Sequence, residues 1–179
     1  MVRKNYFKIR DLTYIAVMVA IIAVCSQISI PLPHGVPLTM QVFAVSLAGV
    51  ILTPVHSLVC ITVYIIAGAL GVPVFANFSA GIGKLVGPTG GFIYGFYFLV
   101  IFLSIFKNQK LIKRIFIFTF AAAVFHLTGA LHYSFVMNTD FITSLVTVTL
   151  PFFVKDLASV FVADYCGKVI LSRIKIRNI

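Results

Sequence analysis

Acidic charge is almost missing from this sequence: glutamate does not occur, and the 179 residues hold four aspartates. Charge of either sign is scarce, at 10% of residues, against about 25% in an ordinary soluble domain. Residues 12–83 contain no Asp, Glu, Lys or Arg at all. About 20 apolar residues cross a bilayer, so this stretch alone suffices for several passes. With 61% hydrophobic residues, a soluble globular enzyme is excluded. The chain reads as an integral membrane protein of one domain, 1–179.

Groups that carry chemistry are equally sparse. The three cysteines, Cys25, Cys60 and Cys166, are odd in number, widely spaced and set in apolar runs, which fits small buried hydrophobes rather than a disulfide framework or metal cluster. His126 and His132 lie six apart and do not share a helical face as metal ligands at i and i+4 do, while His34 and His56 fall in a loop and at a helix start. No Ser-His-Asp or Cys-His arrangement stands out, and Asp156 and Asp164, eight apart on one predicted helix, give no aspartyl pair. Lys84 follows Gly81 and Gly83, but the next residue is Leu85, so the phosphate-loop spacing is absent. The expectation is therefore a non-catalytic chain without cofactor, metal or nucleotide.

What charge there is falls into order. The net charge of +10 comes from 14 Lys and Arg, and twelve of these form three clusters. Arg3, Lys4, Lys8 and Arg10 precede the first apolar run; Lys107, Lys110, Lys113 and Arg114 share a short break; Lys168, Arg173, Lys175 and Arg177 close the chain. Nucleic-acid binding needs cations gathered on one soluble face, and here they flank apolar spans. Basic flanks mark the cytoplasmic side, so all three clusters are expected in the same compartment. The 19-residue run 12–30 is read as a first helix and not as a cleaved leader.

Proline and glycine punctuate the remainder. Helix 1 is expected over about 11–30, ended by Pro31, Pro33 and Pro37. The next uncharged block divides at Thr53-Pro54 into helices over about 38–52 and 55–70. Further helices are expected over about 90–106, 115–137 and 141–171, the last kinked at Pro151. This makes six spans with both termini inside, a count with which all three basic clusters agree. Between the third and fourth lies a Gly-rich, aromatic-bearing loop over about 71–91, too broken for a lipid-facing helix. Such backbone is tolerated at membrane depth only where protein or a cavity shields it.

Ionisable groups outside the clusters are costly in a membrane and persist where they face a cavity or partner. Lys155 and Asp156 should point inward; adjacent residues lie about 100° apart on a helix and pair poorly, so each should have its own partner. Asp156 is open to two readings, a ligand site or a salt bridge with Lys84. Asp140 is expected to cap a helix or stay in water, and Asp164 to pair with Lys168 at i+4. Gln41 either hydrogen-bonds a ligand or braces a neighbouring helix. Ala16 and Ala20 form a small-xxx-small pattern that lets another helix approach, within the chain or from a partner.

Several blocks are more specific. They are Ile30-Pro31-Leu32-Pro33, then Val36-Pro37-Leu38-Thr39-Met40-Gln41, then Ala67-Gly68-Ala69-Leu70-Gly71-Val72-Pro73-Val74-Phe75-Ala76, and Gly87-Pro88-Thr89-Gly90-Gly91-Phe92. With the segment from Pro151 to Asp156 they resemble the BioY family, the biotin-specific S subunits of energy-coupling factor (ECF) transporters. Where many members carry Gly before the helix-6 aspartate and Lys three residues after it, this chain has Lys155 and Ser159.

The resemblance implies an all-α S-component-like bundle in a prokaryotic cell membrane that binds biotin from outside with high affinity. A T subunit and two ABC-type ATPases would power uptake. It implies Asn77 and Asp156 as partners of the ureido group, Lys84 or Lys155 for the valerate carboxylate, and Phe75 and Phe78 over the fused rings. Ala16 and Ala20 would contact the T subunit. The alternatives are an S subunit for another vitamin and a small membrane assembly protein, in which Lys84 and Asp156 would form a structural pair.

Overall fold

The chain is described by a computed structural model over residues 8–32 and 35–173. Arg3, Lys4, Lys175 and Arg177 of the basic termini, and Pro33 and His34 of the first loop, lie outside the described residues. Helix α1 (Ile9–Gln27) begins where Asp11 accepts a hydrogen bond from the Lys8 backbone N–H at 3.0 Å, placing a carboxylate at the positive end of the helix. Helix 1 is expected to run to residue 30 but ends at Gln27. Ser29–Ile30 (β1) leaves it to pair antiparallel with Leu38–Thr39 (β2), closing the first loop into a two-stranded ribbon.

Helix α2 (Gln41–Ile51) is the centre of the bundle, with every residue except Phe43 buried. Small and branched side chains let α1, α3, α5 and α8 pack around it. At its far end the Lys107 ammonium donates to the Leu52 carbonyl at 2.8 Å and to that of Ile51 at 3.4 Å. Burial there holds the lysine pKa below its ordinary value. Helix α3 (Pro54–Ala69) starts at the expected punctuation, with Pro54 in the first turn and the Thr53 hydroxyl accepting from the His56 N–H at 3.4 Å. The expected loop over 71–91 is partly helical, holding a 3-10 turn (Ala76–Phe78) and a short α4 (Ile82–Val86).

Helix α5 (Gly90–Phe106) lies along α6 (Leu111–Met137), which begins one turn earlier than the expected 115. The expected last helix over 141–171 is instead two, α7 (Phe141–Val148) and α8 (Leu150–Arg173), meeting at 53° across Thr149. Pro151 has no N–H to offer Thr147, and its ring crowds that carbonyl, so the break falls just before it. Asp140 caps α7, accepting from the Ile142 and Thr143 N–H groups at 2.9 and 3.3 Å. Asp164 on α8 meets Lys168 at 3.0 Å as the spacing predicts, and also Arg114 of α6 at 3.0 Å. Cys25, Cys60 and Cys166 are free thiols, with Cys60 buried and the other two half-buried.

This is a mostly helical membrane protein. Helices α1 and α6 are long and apolar enough to cross a bilayer, the bent pair α7–α8 passes the same test jointly, and α2, α3 and α5 are shorter apolar helices of 11, 16 and 17 residues.

The closest approach of α5 to α6 runs over glycines. A methyl at Gly91 would lie 2.5 Å from the Thr128 carbonyl oxygen, and one at Gly95 would lie 2.6 Å from the Thr128 hydroxyl. Gly91→Ala therefore forces backbone apart and is expected to destabilise the folded protein by about 1–3 kcal/mol, read as a lower melting temperature in detergent. Gly83→Ala, where an added methyl meets nothing within 4 Å, should leave that temperature unchanged.

Candidate functional site

The start of α2, the first half of α5, the first turns of α8 and the loop after α3 converge on a partly open cavity. Its wall is largely aromatic, with Phe92 and Phe96 from α5, Phe125 from α6, Phe152 from α8 and Phe75 from the loop. Into it project Gln41, Asn77, Lys84, Lys155 and Asp156. A mostly apolar recess with a few convergent polar groups is the usual form of a small-molecule site.

The sequence places six candidates here that the fold brings together: Gln41, Phe75, Asn77, Lys84, Lys155 and Asp156 all line the cavity. Phe78 does not. Its backbone has φ +53° and its side chain is 71% exposed, so the left-handed turn carries the ring away from the recess. Ala16 and Ala20 lie elsewhere, on the outward face of α1 beside Val17 and Val24. Their small-residue stripe is open and does not serve packing inside the bundle.

Asp156 is buried and answered from two sides. Lys155 makes an ion pair with one carboxylate oxygen, and His126 Nε2 lies 3.3 Å from the other. The expectation that Lys155 and Asp156 pair poorly is thus corrected. Their Cα–Cβ bonds do diverge, but the four-carbon lysine stem swings back across the cavity wall, where its ammonium also donates to the Thr39 carbonyl at 2.6 Å. Among the described residues the alternative Asp156–Lys84 bridge does not form, and the Lys84 ammonium has no ion-pair partner.

His126 was not among the candidates read from the sequence. As one of two histidines in the apolar run 115–137, set six apart, it gives no signal beyond its cost, and the only distinctive use to weigh for it is as a metal ligand. In the fold it is 1% exposed and ringed by Phe92, Phe125 and Phe153, with centroids 6.0, 4.9 and 5.3 Å away. Its approach to Asp156 is an electrostatic contact without aligned hydrogen-bond geometry, and neither ring nitrogen has a hydrogen-bond partner among the described residues.

Tyr64 is the second residue missed. Its hydroxyl receives the Gln41 Nε2–H at 2.6 Å, donates to the Val74 carbonyl at 3.0 Å and lies 3.0 Å from the Ser26 hydroxyl. Gln41 thus braces α3 and lines the cavity at once. The loop is held further by Gln27, whose Oε1 accepts from the Phe78 N–H at 2.7 Å and whose Nε2 donates to the Phe75 carbonyl at 3.2 Å. These bonds hold Asn77 at φ +58°, a region that Asn enters more readily than most residues. The Asn77 side-chain oxygen, Oδ1, accepts from the Ser29 hydroxyl at 2.6 Å.

A helical membrane protein enclosing an aromatic cavity with a buried, paired carboxylate is the class that these features define. The chain belongs to the BioY family, whose profile matches residues 1–175. It is 48% identical over 89 residues to a probable biotin transporter BioY of Pyrococcus horikoshii, and 40% identical over 101 residues to the biotin transporter BioY of Thermotoga maritima. Those matches take in 50% and 56% of this chain and span 54% and 59% of the relatives' own lengths. Biotin transporter BioY2 of Lactococcus lactis is 34% identical over 162 residues, covering 88% of each chain. The fold is similar to a crystal structure of the S-component for biotin from an ECF-type ABC transporter. That comparison gives a TM-score of 0.76 at 25% identity over 94% of this chain and 95% of the other.

If His126 and Asp156 interact directly, their substitution effects are not additive. A double-mutant cycle of His126→Leu and Asp156→Asn, followed by thermal unfolding in detergent, should show a coupling of about 0.5–3 kcal/mol. Additive effects would mean that the two groups are neighbours without a shared interaction.

Proposed function

We propose that this chain is the biotin-binding S-component of an ECF-type transporter. It takes biotin from the outer side of a prokaryotic cell membrane and delivers it inward when coupled to a T subunit and two ABC-type ATPases. The observation that carries this reading is the set of polar groups in one aromatic cavity. A ureido group offers two N–H donors and one carbonyl, and it needs acceptors and a donor close together. The Asp156 carboxylate supplies the charged acceptor, and the Asn77 amide stands across the recess on the loop. The fused rings pack on Phe75, Phe92 and Phe96.

Of the two lysines, Lys84 receives the valerate carboxylate. Lys155 is already engaged by Asp156 and the Thr39 carbonyl, whereas Lys84 lines the cavity with an exposed side chain and no ionic partner among the described residues. Phe78, turned outward, has no part in this pocket. Membership of this family and the form of the cavity both favour a binding subunit over an enzyme. The assembly-protein alternative requires a Lys84–Asp156 bridge, which the described residues do not make.

The six spans are α1, α2, α3, α5, α6 and the bent pair α7–α8, with both termini in the cytoplasm. In support, Lys107, Arg114 and Lys168 gather at the end of the bundle opposite the β1–β2 ribbon, while the cavity lies at the ribbon end. The T subunit docks on the open Ala16–Ala20 stripe of α1, where small residues let another helix approach closely.

Isothermal titration of the purified protein in detergent tests the assignment, with riboflavin and thiamine as controls. Wild type should bind biotin and neither control, and Asp156→Ala should weaken binding by about 1.5–3 kcal/mol, the scale for losing a charged hydrogen-bond partner. Lys84→Met should weaken biotin and leave biotin amide, which has no carboxylate, unaffected. Absence of heat with biotin in a folded, monodisperse sample would sink the substrate assignment.

Orientation is tested separately with single cysteines in a chain whose three native cysteines are replaced. A membrane-impermeant maleimide should label Val72→Cys in intact cells and Lys110→Cys only after lysis. The reverse pattern would invert the topology.

A further inference from the structure

We propose that Tyr64, which does not line the cavity, is a positioning residue that sets the polarity of the Gln41 amide. Gln41 then always presents its carbonyl oxygen, and accepts a hydrogen bond from a ligand N–H. The two ends of a glutamine amide are alike in size and opposite in chemistry, so only the surrounding network decides which one faces a ligand.

Here the network leaves one choice. The Tyr64 side chain is fully buried, and its hydroxyl has a single proton to give. The Val74 carbonyl, 3.0 Å away, accepts from no other group among the described residues and claims that proton. The Ser26 hydroxyl, also 3.0 Å from Tyr64, gives its own proton to Tyr64 or to the Ile22 carbonyl at 2.7 Å, and either choice leaves the Tyr64 proton to Val74. What lies 2.6 Å from the phenol oxygen on the Gln41 side must therefore be a donor, which is Nε2–H. Turning the amide over would set two acceptors against each other, or would strip the Val74 carbonyl of its donor inside the bundle, where an unmade hydrogen bond is costly. The other end, Oε1, accepts no hydrogen bond from a described residue and is not sealed off among buried atoms. With Gln41 lining the cavity, it opens toward the recess as an acceptor whose orientation is fixed from behind.

This inference rests on the reading of the cavity as a biotin site and adds to it. The ureido group has two N–H donors, and Asp156 is the acceptor for one. Gln41 is the acceptor for the other, and Tyr64 is the reason it cannot serve as a donor there.

The test is the affinity of biotin relative to its two analogues methylated at one or the other ureido nitrogen, by titration in detergent. The proteins compared are wild type, Tyr64→Phe, Gln41→Ala and the double variant. Wild type should prefer biotin to the analogue methylated on the Gln41 side by tenfold or more. Tyr64→Phe frees the amide to rotate and should shrink that preference at least threefold. In the Gln41→Ala background Tyr64→Phe should change the preference no further.

If Tyr64→Phe weakens biotin and both analogues by the same factor, Tyr64 is structural only and the inference is overturned. Should Tyr64→Phe fail to fold, Gln41→Ala decides: an unchanged preference would remove Gln41 as the acceptor. Wild type that binds no biotin overturns this inference and the functional reading together. Biotin binding with preferences that no variant alters overturns the inference alone.

Discussion

A carboxylate buried among phenylalanines is the constraint around which this bundle is arranged. Asp156 is 5% exposed, and a lone charge in such surroundings is too costly to persist without compensation. Its answers come from different elements. Lys155 is its chain neighbour, yet the same ammonium holds the Thr39 carbonyl and so ties α8 to β2. His126 comes from α6, out of a helix face otherwise given to aromatic packing. The first turns of α8, the middle of α6 and the ribbon that precedes α2 thereby meet at one point, and the cavity is the space that their meeting leaves. The break at Thr149 belongs to the same arrangement, because it sets the direction in which α8 leaves α7 and carries Phe152, Lys155 and Asp156 into the recess.

The loop after α3 follows a different rule. It contains no charged residue before Lys84, and its residues are held by neutral side chains: Gln27 from α1, Tyr64 from α3 and Ser29 from β1. Irregular backbone in an apolar setting needs each N–H and C=O satisfied, and these side chains supply partners that a helix would find within itself. Left-handed backbone at Asn77 and Phe78 turns one side chain into the cavity and the next out of it. Two adjacent residues with equal standing in the sequence thus end with unequal roles.

That contrast shows what the sequence makes legible. Charge is so rare here that Lys84, Lys155 and Asp156 are conspicuous, and the absence of charge from 12 to 83 defines the class of protein by itself. Thr53-Pro54 marks a helix boundary because proline and a hydroxyl cap act locally. His126 and Tyr64 are illegible for the converse reason. Each sits in an apolar helical run, and what distinguishes it is a partner far along the chain: Asp156, 30 positions away, or Gln41, 23 positions away. The reach of the Lys155 side chain is likewise hidden, since spacing rules describe where side chains start and not where a flexible stem ends. The end of α1 at Gln27 depends on a pairing between residues 29–30 and 38–39, a tertiary fact that competes successfully with local helix propensity.

The shortness of α2 links membrane and site. Its 11 residues rise by roughly 16 Å at 1.5 Å per residue, about half of a hydrocarbon core some 30 Å thick. On the proposed six-span topology the rest of that crossing falls to residues 36–39, and extended chain at about 3.3 Å per residue covers the difference. Lipid does not tolerate such backbone, but a shielded cavity does. Gly35, Val36, Pro37 and Thr39 all line the recess, and the Thr39 carbonyl is satisfied by Lys155. On that topology a half-length helix puts the cavity within the membrane, with α2 beneath it. The same lysine that compensates Asp156 is what lets the chain remain extended there.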